Sequence, residues 1–342
     1  MRLRTALPAA GLLLVVFAAP ALAQKTDVIV LLNGDRVTCE IKSYSLGRLT
    51  VSTDIASDIS VKWNKIQAIT SDKQFEIETT DGLVHYGVLA PSTPPGKLDV
   101  VSTSRIETLG FMDVVRINPI YQSFWRRWSG SLDLGFNYTQ ANDFVQFTLN
   151  ADATFRRPTF LASASLSAFF TSQQGVPSSQ RGNLGFVYEK FLTDRWLVTG
   201  FTGLDRNLDL GLALRGSIGA GYGRDFVQTN RTTLTGIIGL MGDREEPVDG
   251  ATTSNITAVI AGKYSTFTYD FPKLTFNASL AVYPYLNDAG RVRLEFNAYA
   301  KREIVKDFYL SLSLFDSFDS RDPSTQQAKN DWGPVLAIGW SF

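Results

Sequence analysis

The sequence predicts an all-β chain: an antiparallel transmembrane β-barrel of about twelve strands preceded by a small duplicated SH3-like or Sm-like β domain. Three observations predict it. From residue 121 onward the chain runs in segments of about ten to fourteen residues whose apolar and polar positions alternate. Short turns and longer polar loops separate these segments by turns. The chain finishes on GPVLAIGWSF (333–342), where Pro334, Leu336, Ile338, Trp340 and Phe342 form one apolar strand face up to the last residue.

The N-terminus reads as a secretory signal over residues 1–23. Arg2 and Arg4 supply the basic region, Ala9 to Ala19 an apolar run, and Ala21-Leu22-Ala23 a small-residue cleavage site before Gln24. The apolar run of about eleven residues is well short of the roughly twenty that span a bilayer. No later run is long enough for a transmembrane helix. The whole chain balances 33 basic against 33 acidic residues; without the signal and its two arginines the acids lead by two. That balance gives no reason to expect a nucleic acid partner. The sole cysteine, Cys39, shares a strand face with Val37 and Ile41 and reads as a small buried hydrophobe.

Residues 24–120 form the small β domain. VIVLLNGDRVTCEIK (28–42) is two strands around the turn Asn33-Gly34-Asp35. The pattern then recurs: NGDRVTCEI (33–41) is echoed by DGLVHYGVL (81–89), GRLTVST by GKLDVVST, and WNKIQAI (63–69) by FMDVVRI (111–117). Gly34 to Gly82, Trp63 to Phe111 and Ile69 to Ile117 are each offset by 48. Two strongly bent sheets are expected, with turns at Gly34, Gly47, Gly82 and Gly96. His85 is the only histidine and Asp81 precedes it by four residues; alone on a strand it reads as a surface or packing residue. No metal cluster, phosphate loop or nucleophile motif accompanies it.

Residues 121–342 carry the barrel. Leu132, Leu134, Phe136 and Tyr138 oppose Ser131, Asp133, Gly135 and Asn137; Leu274, Phe276, Ala278, Leu280 and Val282 oppose Thr275, Asn277 and Ser279. Soluble strands average about five or six residues, whereas a tilted membrane strand needs about nine to eleven. Short turns fall near Arg157-Pro158, Thr193-Asp194, Thr229-Asn230, Asp270 to Pro272 and Lys306-Asp307. Long loops are expected at 171–182, 242–254 and 319–331. The aromatic residues sort toward two rims. Trp125, Trp128, Phe155, Phe160, Phe191, Trp196, Tyr264, Phe267, Phe308 and Trp340 fall at the short-turn rim, and Tyr138, Phe144, Phe170, Tyr283, Tyr285 and Trp332 at the other. An even strand number brings both barrel ends to the same side and closes the last strand on the first.

VIVLLNGDRVTCEI, GRLTVST, FWRRWSGSLDLGFNYTQ and LNADATFRRP together resemble the salt-induced outer-membrane protein family, a β-barrel family of unknown molecular function. The resemblance covers most of 121–342. It implies a Gram-negative outer membrane and a link to osmotic or salt conditions, and it supplies no catalytic residues. The terminal strand with Trp340 and Phe342 resembles the signal read by the barrel-assembly machinery. Expected partners are outer-membrane lipid, lipopolysaccharide, that machinery and an envelope partner of residues 24–120, with the small domain and the C-terminus in the periplasm.

Function is sought on the inward face. Its ionisable residues are Asp133, Asp152, Glu189, Arg215, Lys263, Arg293, Glu295 and Lys301. In a closed twelve-stranded cylinder Asp152 faces Lys263 and Glu189 faces Lys301 across the lumen. Such an arrangement serves either a barrel braced by ion pairs or a narrow channel for small polar solutes. The acidic stretch Asp243 to Asp249 reads as a solvated loop. Barrel hydrolases rely on a histidine, and residues 121–342 contain none, so no catalytic residue, cofactor or metal site is assigned. The leading expectation is a non-enzymatic envelope protein with a periplasmic adaptor domain; the alternative is the narrow channel.

Overall fold

The computed structural model of the 342-residue chain describes residues 25–340 apart from 94, 122–123, 125–126, 141–142, 174–175, 209–211 and 322–328. The cleavage residues Ala23 and Gln24, the terminal Phe342 and Trp125 lie outside the described residues. Strands make up two antiparallel sheets, one of nine strands and one of twelve.

The first sheet contains β1 (Asp27–Leu31), β2 (Arg36–Ser45), β3 (Arg48–Thr53), β4 (Ser57–Lys62), β5 (Ile66–Thr79), β6 (Val84–Pro91), β7 (Lys97–Val101), β8 (Ile106–Gly110) and β9 (Val114–Pro119). A shift of 48 residues carries β1 onto the second half of β5 and the start of β2 onto that of β6. It also carries the 3-10 turn Trp63–Lys65 onto Phe111–Asp113, and the start of β5 onto that of β9. Gly34, Gly47, Gly82 and Gly96 all take positive φ at the expected turns. The expectation of two separate sheets is corrected to one continuous sheet. No glycine or proline interrupts 66–79, so β5 runs through both halves, pairing β1 first and then β6 and β9, with a register shift between Ser71 and Phe75. The halves share one core. Tyr44 stacks on Trp63 at 3.9 Å, Trp63 meets Phe111 at 4.6 Å, and Trp63 Nε1 donates to the Phe111 carbonyl at 2.6 Å. Cys39 is fully buried there, and burial pushes its thiol up to about 11. Buried Asp27 is satisfied by the Ile41 N–H at 2.7 Å, Ser71 Oγ at 2.6 Å and Lys73 Nζ at 3.1 Å.

The second sheet runs in chain order through β10 (Trp128–Thr139), β11 (Phe144–Arg157), β12 (Phe160–Gln173), β13 (Val176–Phe191), β14 (Trp196–Asn207) and β15 (Leu212–Gln228). It continues through β16 (Thr232–Pro247), β17 (Thr253–Phe267), β18 (Leu274–Pro284), β19 (Val292–Val305), β20 (Phe308–Asp319) and β21 (Lys329–Trp340). Its strands have 11 to 17 residues, and each expected short turn is present. The expected long loops are shorter. Residues 171–182 are mostly strand, and β16 continues to Pro247 because polar residues extend a ladder as readily as apolar ones once their backbone is paired. The sheet curls until β11, β13, β17 and β19 contribute to the wall of one cavity. Among the described residues β10 and β21 do not pair, so the expected closure is corrected to an open seam. Pro334, mid-strand in β21, has no N–H to offer a further ladder, and prolines in sheets favour edges.

Candidate functional site: a charged lumen under a small domain

Alternation along each long strand decides which side chains enter the lumen. On β16, Met241, Asp243 and Glu245 are buried whereas Leu240, Arg244 and Glu246 are exposed. The interior has a far end and a near end, the near end lying against the small domain.

Ion pairs and ring contacts cluster at the far end. Arg215 Nε and Nη2 both lie 2.9 Å from Glu245 Oε1. Arg291 forms a two-pronged pair with Asp319 at 2.8 and 3.2 Å and lies 4.0 Å over the Tyr285 ring. Arg293 covers Tyr283 at 4.4 Å and approaches Glu295 at 3.7 Å. Asp243 accepts from Asn255 at 2.8 Å. Glu245 and Asp243 are thus lumen residues of β16, which corrects the reading of 243–249 as a solvated loop. Tyr283 and Tyr285 also turn inward, not toward the outer rim, because they share the parity of Asn277 and Ser279.

The small domain covers the near end. Arg195, in the β13–β14 turn, donates Nη2 to the Thr79 and Thr80 carbonyls and lies 3.6 Å from Glu78 through Nε. Gln228 Nε2 donates to Glu78 at 3.2 Å, and Asn230 Nδ2 to the Met112 carbonyl at 2.9 Å. Arg116 bridges Glu78 at 3.5 Å and Asp225 at 3.9 Å. Tyr269 is buried in the small domain's core, and Phe267 packs against it, beside Gly47. A Cβ at Gly47 would overlap both rings, and its φ of +67° favours glycine as well. Phe267 is therefore a docking residue and not a rim aromatic. Other expected rim aromatics do line up: Trp128, Phe155 and Phe160, joined by Tyr188 from outside the expected set, form a row of rings 5.2, 5.9 and 5.4 Å apart on adjacent strands.

Between domain and lumen lies a cavity of about 1280 Å³. Its wall includes Glu76, Arg116 and Asn118 of the small domain and Arg156, Glu189, Asp225, Lys263 and Glu295 of the long strands. A second cavity of about 520 Å³ contains Lys301, which sits 3.5 Å over the Tyr309 ring. Glu189 is in electrostatic reach of Lys263 and Arg156. The structure places Lys301 with Tyr309 in the other cavity, so the expected facing of Glu189 and Lys301 is corrected. The half-turn rule behind it needs a closed, regular cylinder. Asp152 accepts from Ser131 on the neighbouring strand, and Asp133 pairs in register with Asn150. Trp340 is exposed at the end of β21. Sequence reasoning missed Arg156 and Asp225, though both continue the inward parity of their strands. Phe191 shares that parity and holds the Arg156 guanidinium over its ring at 5.3 Å.

His85 is on β6 of the small domain and lines neither cavity. Its Nδ1 meets Glu107 and its Nε2 lies 3.4 Å from Thr79 Oγ1, which also donates to Asp81 at 2.6 Å. The His85 contact holds the Glu107 carboxyl below its ordinary range. Among the described residues no group of three metal-ligating side chains occurs.

No curated protein sequence matches the chain. A solved structure of the NanC porin is similar at 12% identity and a TM-score of 0.34, covering 62% of this chain and all of that one. A family model described as a protein of unknown function, DUF481, matches residues 132–332, most of the long-stranded sheet. The chain belongs to the DUF481 family.

Proposed function

We propose that the chain is a non-enzymatic outer-membrane β-barrel protein of a Gram-negative envelope that holds the small domain at its periplasmic rim as an adaptor in osmotic (salt) adaptation. One observation carries the membrane reading. Large apolar side chains stand exposed at alternating positions of the outer face, including Leu134, Leu184, Ile218, Ile238, Ile260 and Leu336, while the other face is polar and charged. Such a belt around a hydrophilic interior suits hydrocarbon, and exposed apolar area on that scale is foreign to a soluble monomer. The short turns that grip the small domain then face the periplasm, as do both barrel ends. Lipid, lipopolysaccharide and the assembly machinery are the partners this location supplies, and an envelope component is the adaptor's. Insertion requires β10 and β21 to join, because each unpaired backbone group in hydrocarbon costs several kcal/mol.

Fractionation tests the location: the mature chain should sediment with outer membranes and need detergent for extraction, and a chain that stays dissolved without detergent refutes it. The adaptor reading requires a deletion strain to lose fitness at raised salt, with restoration by the full chain and not by the barrel alone. The alternative, a narrow channel for small polar solutes, draws on the near-end cavity. The paired arginines and carboxylates at the far end favour the closed, anchoring form.

A further inference from the structure

The near-end cavity contains a guanidinium whose strongest binding edge is unused. Arg156 Nε and Nη2 form the side-on edge of the guanidinium, the pair of N–H donors that fits the two oxygens of a carboxylate. Both atoms are buried and have no hydrogen-bond partner among the described residues. The ring of Phe191 fixes the group in place. Most buried side-chain donors in folded proteins are satisfied; Arg195, Arg224 and Arg293 each leave Nε alone without a hydrogen-bond partner among the described residues, whereas Arg156 leaves both atoms of the edge. The opposite need is present in the same cavity. Glu76 Oε2, on the small domain, is buried without a donor among the described residues, although Oε1 accepts from Asn118 at 3.3 Å. Lys263 and Glu189 add one further charge of each sign, and neither forms an ion pair among the described residues.

Arg157 and Asp58 of the same wall also form no ion pair among the described residues, so the free charges of the cavity balance, three positive and three negative. An anion alone would meet Glu76 and Glu189 beside Arg156, and a cation alone would meet Arg156 and Lys263. A ligand with one charge of each sign satisfies both edges at once. The volume of about 1280 Å³ exceeds the roughly 300–1,000 Å³ of drug-sized pockets, too much for a single amino acid. Thr154, Ser279 and Asn297 offer neutral hydrogen-bonding groups along the wall, suited to amides.

We infer that this cavity binds a short peptide zwitterion, with its carboxylate on the side-on edge of Arg156 and its ammonium at Glu76. The site spans two parts of the chain, so an occupant ties the small domain to the lumen. The inference is independent of the membrane reading, which fractionation tests separately.

Isothermal titration of the full mature chain in detergent tests it, with triglycine as probe against N-acetyl-triglycine, triglycine amide and the doubly capped peptide. Triglycine should bind, each singly capped peptide at least ten-fold more weakly, and the doubly capped one not measurably. Arg156→Ala should weaken triglycine at least ten-fold. Glu76→Gln should weaken peptides with a free ammonium while leaving the amino-capped ones unchanged. Absence of triglycine binding overturns the inference, as does equal binding of either singly capped peptide. The wild-type series decides alone if a variant fails to fold.

Discussion

Glu78 joins the small domain to the barrel rim, and its removal tests whether docking is specific. The carboxylate is mostly buried; it pairs with Arg116 at 3.5 Å and Arg195 at 3.6 Å and accepts from Gln228 at 3.2 Å. Truncating one partner of a desolvated charge pair costs about 2–5 kcal/mol. The low end applies to Glu78→Ala, because Arg195 keeps the Thr79 and Thr80 carbonyls and Arg116 keeps Asp225. A loss of about 2 kcal/mol is roughly a thirty-fold change in the docked-to-undocked ratio. The assay is energy transfer between dyes at exposed Ser104 and Asp249, placed by cysteine substitution in a Cys39→Ala background. Urea below the concentration that melts the barrel should separate the labels. With a slope of about 1 kcal/mol per M, Glu78→Ala should lower the midpoint by about 2 M. Glu78→Ala and Arg195→Ala should fall short of additivity by about 1 kcal/mol. An unchanged midpoint, or full additivity, refutes the argument.

Trp63→Ala removes a buried indole that stacks on Tyr44 and donates to Phe111; a loss of about 3–5 kcal/mol is expected in urea unfolding of the small domain. The Cys39 thiol, raised from 9.0 to about 11 by burial, stays protonated in the fold. Its contribution to stability is therefore full below about pH 9 and falls as pH rises toward 11. Ellman's reagent at pH 8 should label Cys39 only as fast as the small domain unfolds, and free-thiol kinetics would contradict this. Glu245→Ala leaves Arg215 without its carboxylate at the far end, so single-protein conductance in a planar bilayer should rise above the wild-type level. Cysteines at Ser131 in β10 and Ala337 in β21 should cross-link in the Cys39→Ala chain after insertion and not before, if the two strands join in lipid.

Which face a side chain takes was legible wherever the chain alternates. Glu189, Lys263 and Glu295 were assigned inward by parity alone and line one cavity. The same rule reaches Arg156 and Asp225, each next to a phenylalanine of the opposite face, and Glu245, which sits where both faces turn polar. Binary alternation fades there, and a polar strand end looks like a loop. A lipid-facing row is recognisable because hydrocarbon demands it; beyond the apolar belt only backbone pairing sustains the strand, and pairing has no residue signature. Aromatic residues gave the converse error. Phe191, Tyr283 and Tyr285 have the depth of a rim but the parity of the lumen, and parity is the stronger rule because a strand cannot turn one residue over without shifting its register.

Partners across the lumen were not legible, for a geometric reason. Parity is a local property of one strand, whereas opposition depends on how far the whole sheet curls and whether its edges meet. With β10 and β21 apart, Glu189 on β13 falls within reach of Lys263 on β17 and Arg156 on β11. The small domain adds what no pattern within 121–342 contains, since Glu76 reaches the same cavity from β5, the strand that runs through both halves of the repeat. Moving the small domain would take Glu76 away from Arg156. Occupancy of the cavity and docking of the domain are therefore coupled, and by linkage a ligand that binds only the docked form raises the Glu78→Ala urea midpoint as its concentration passes its own dissociation constant.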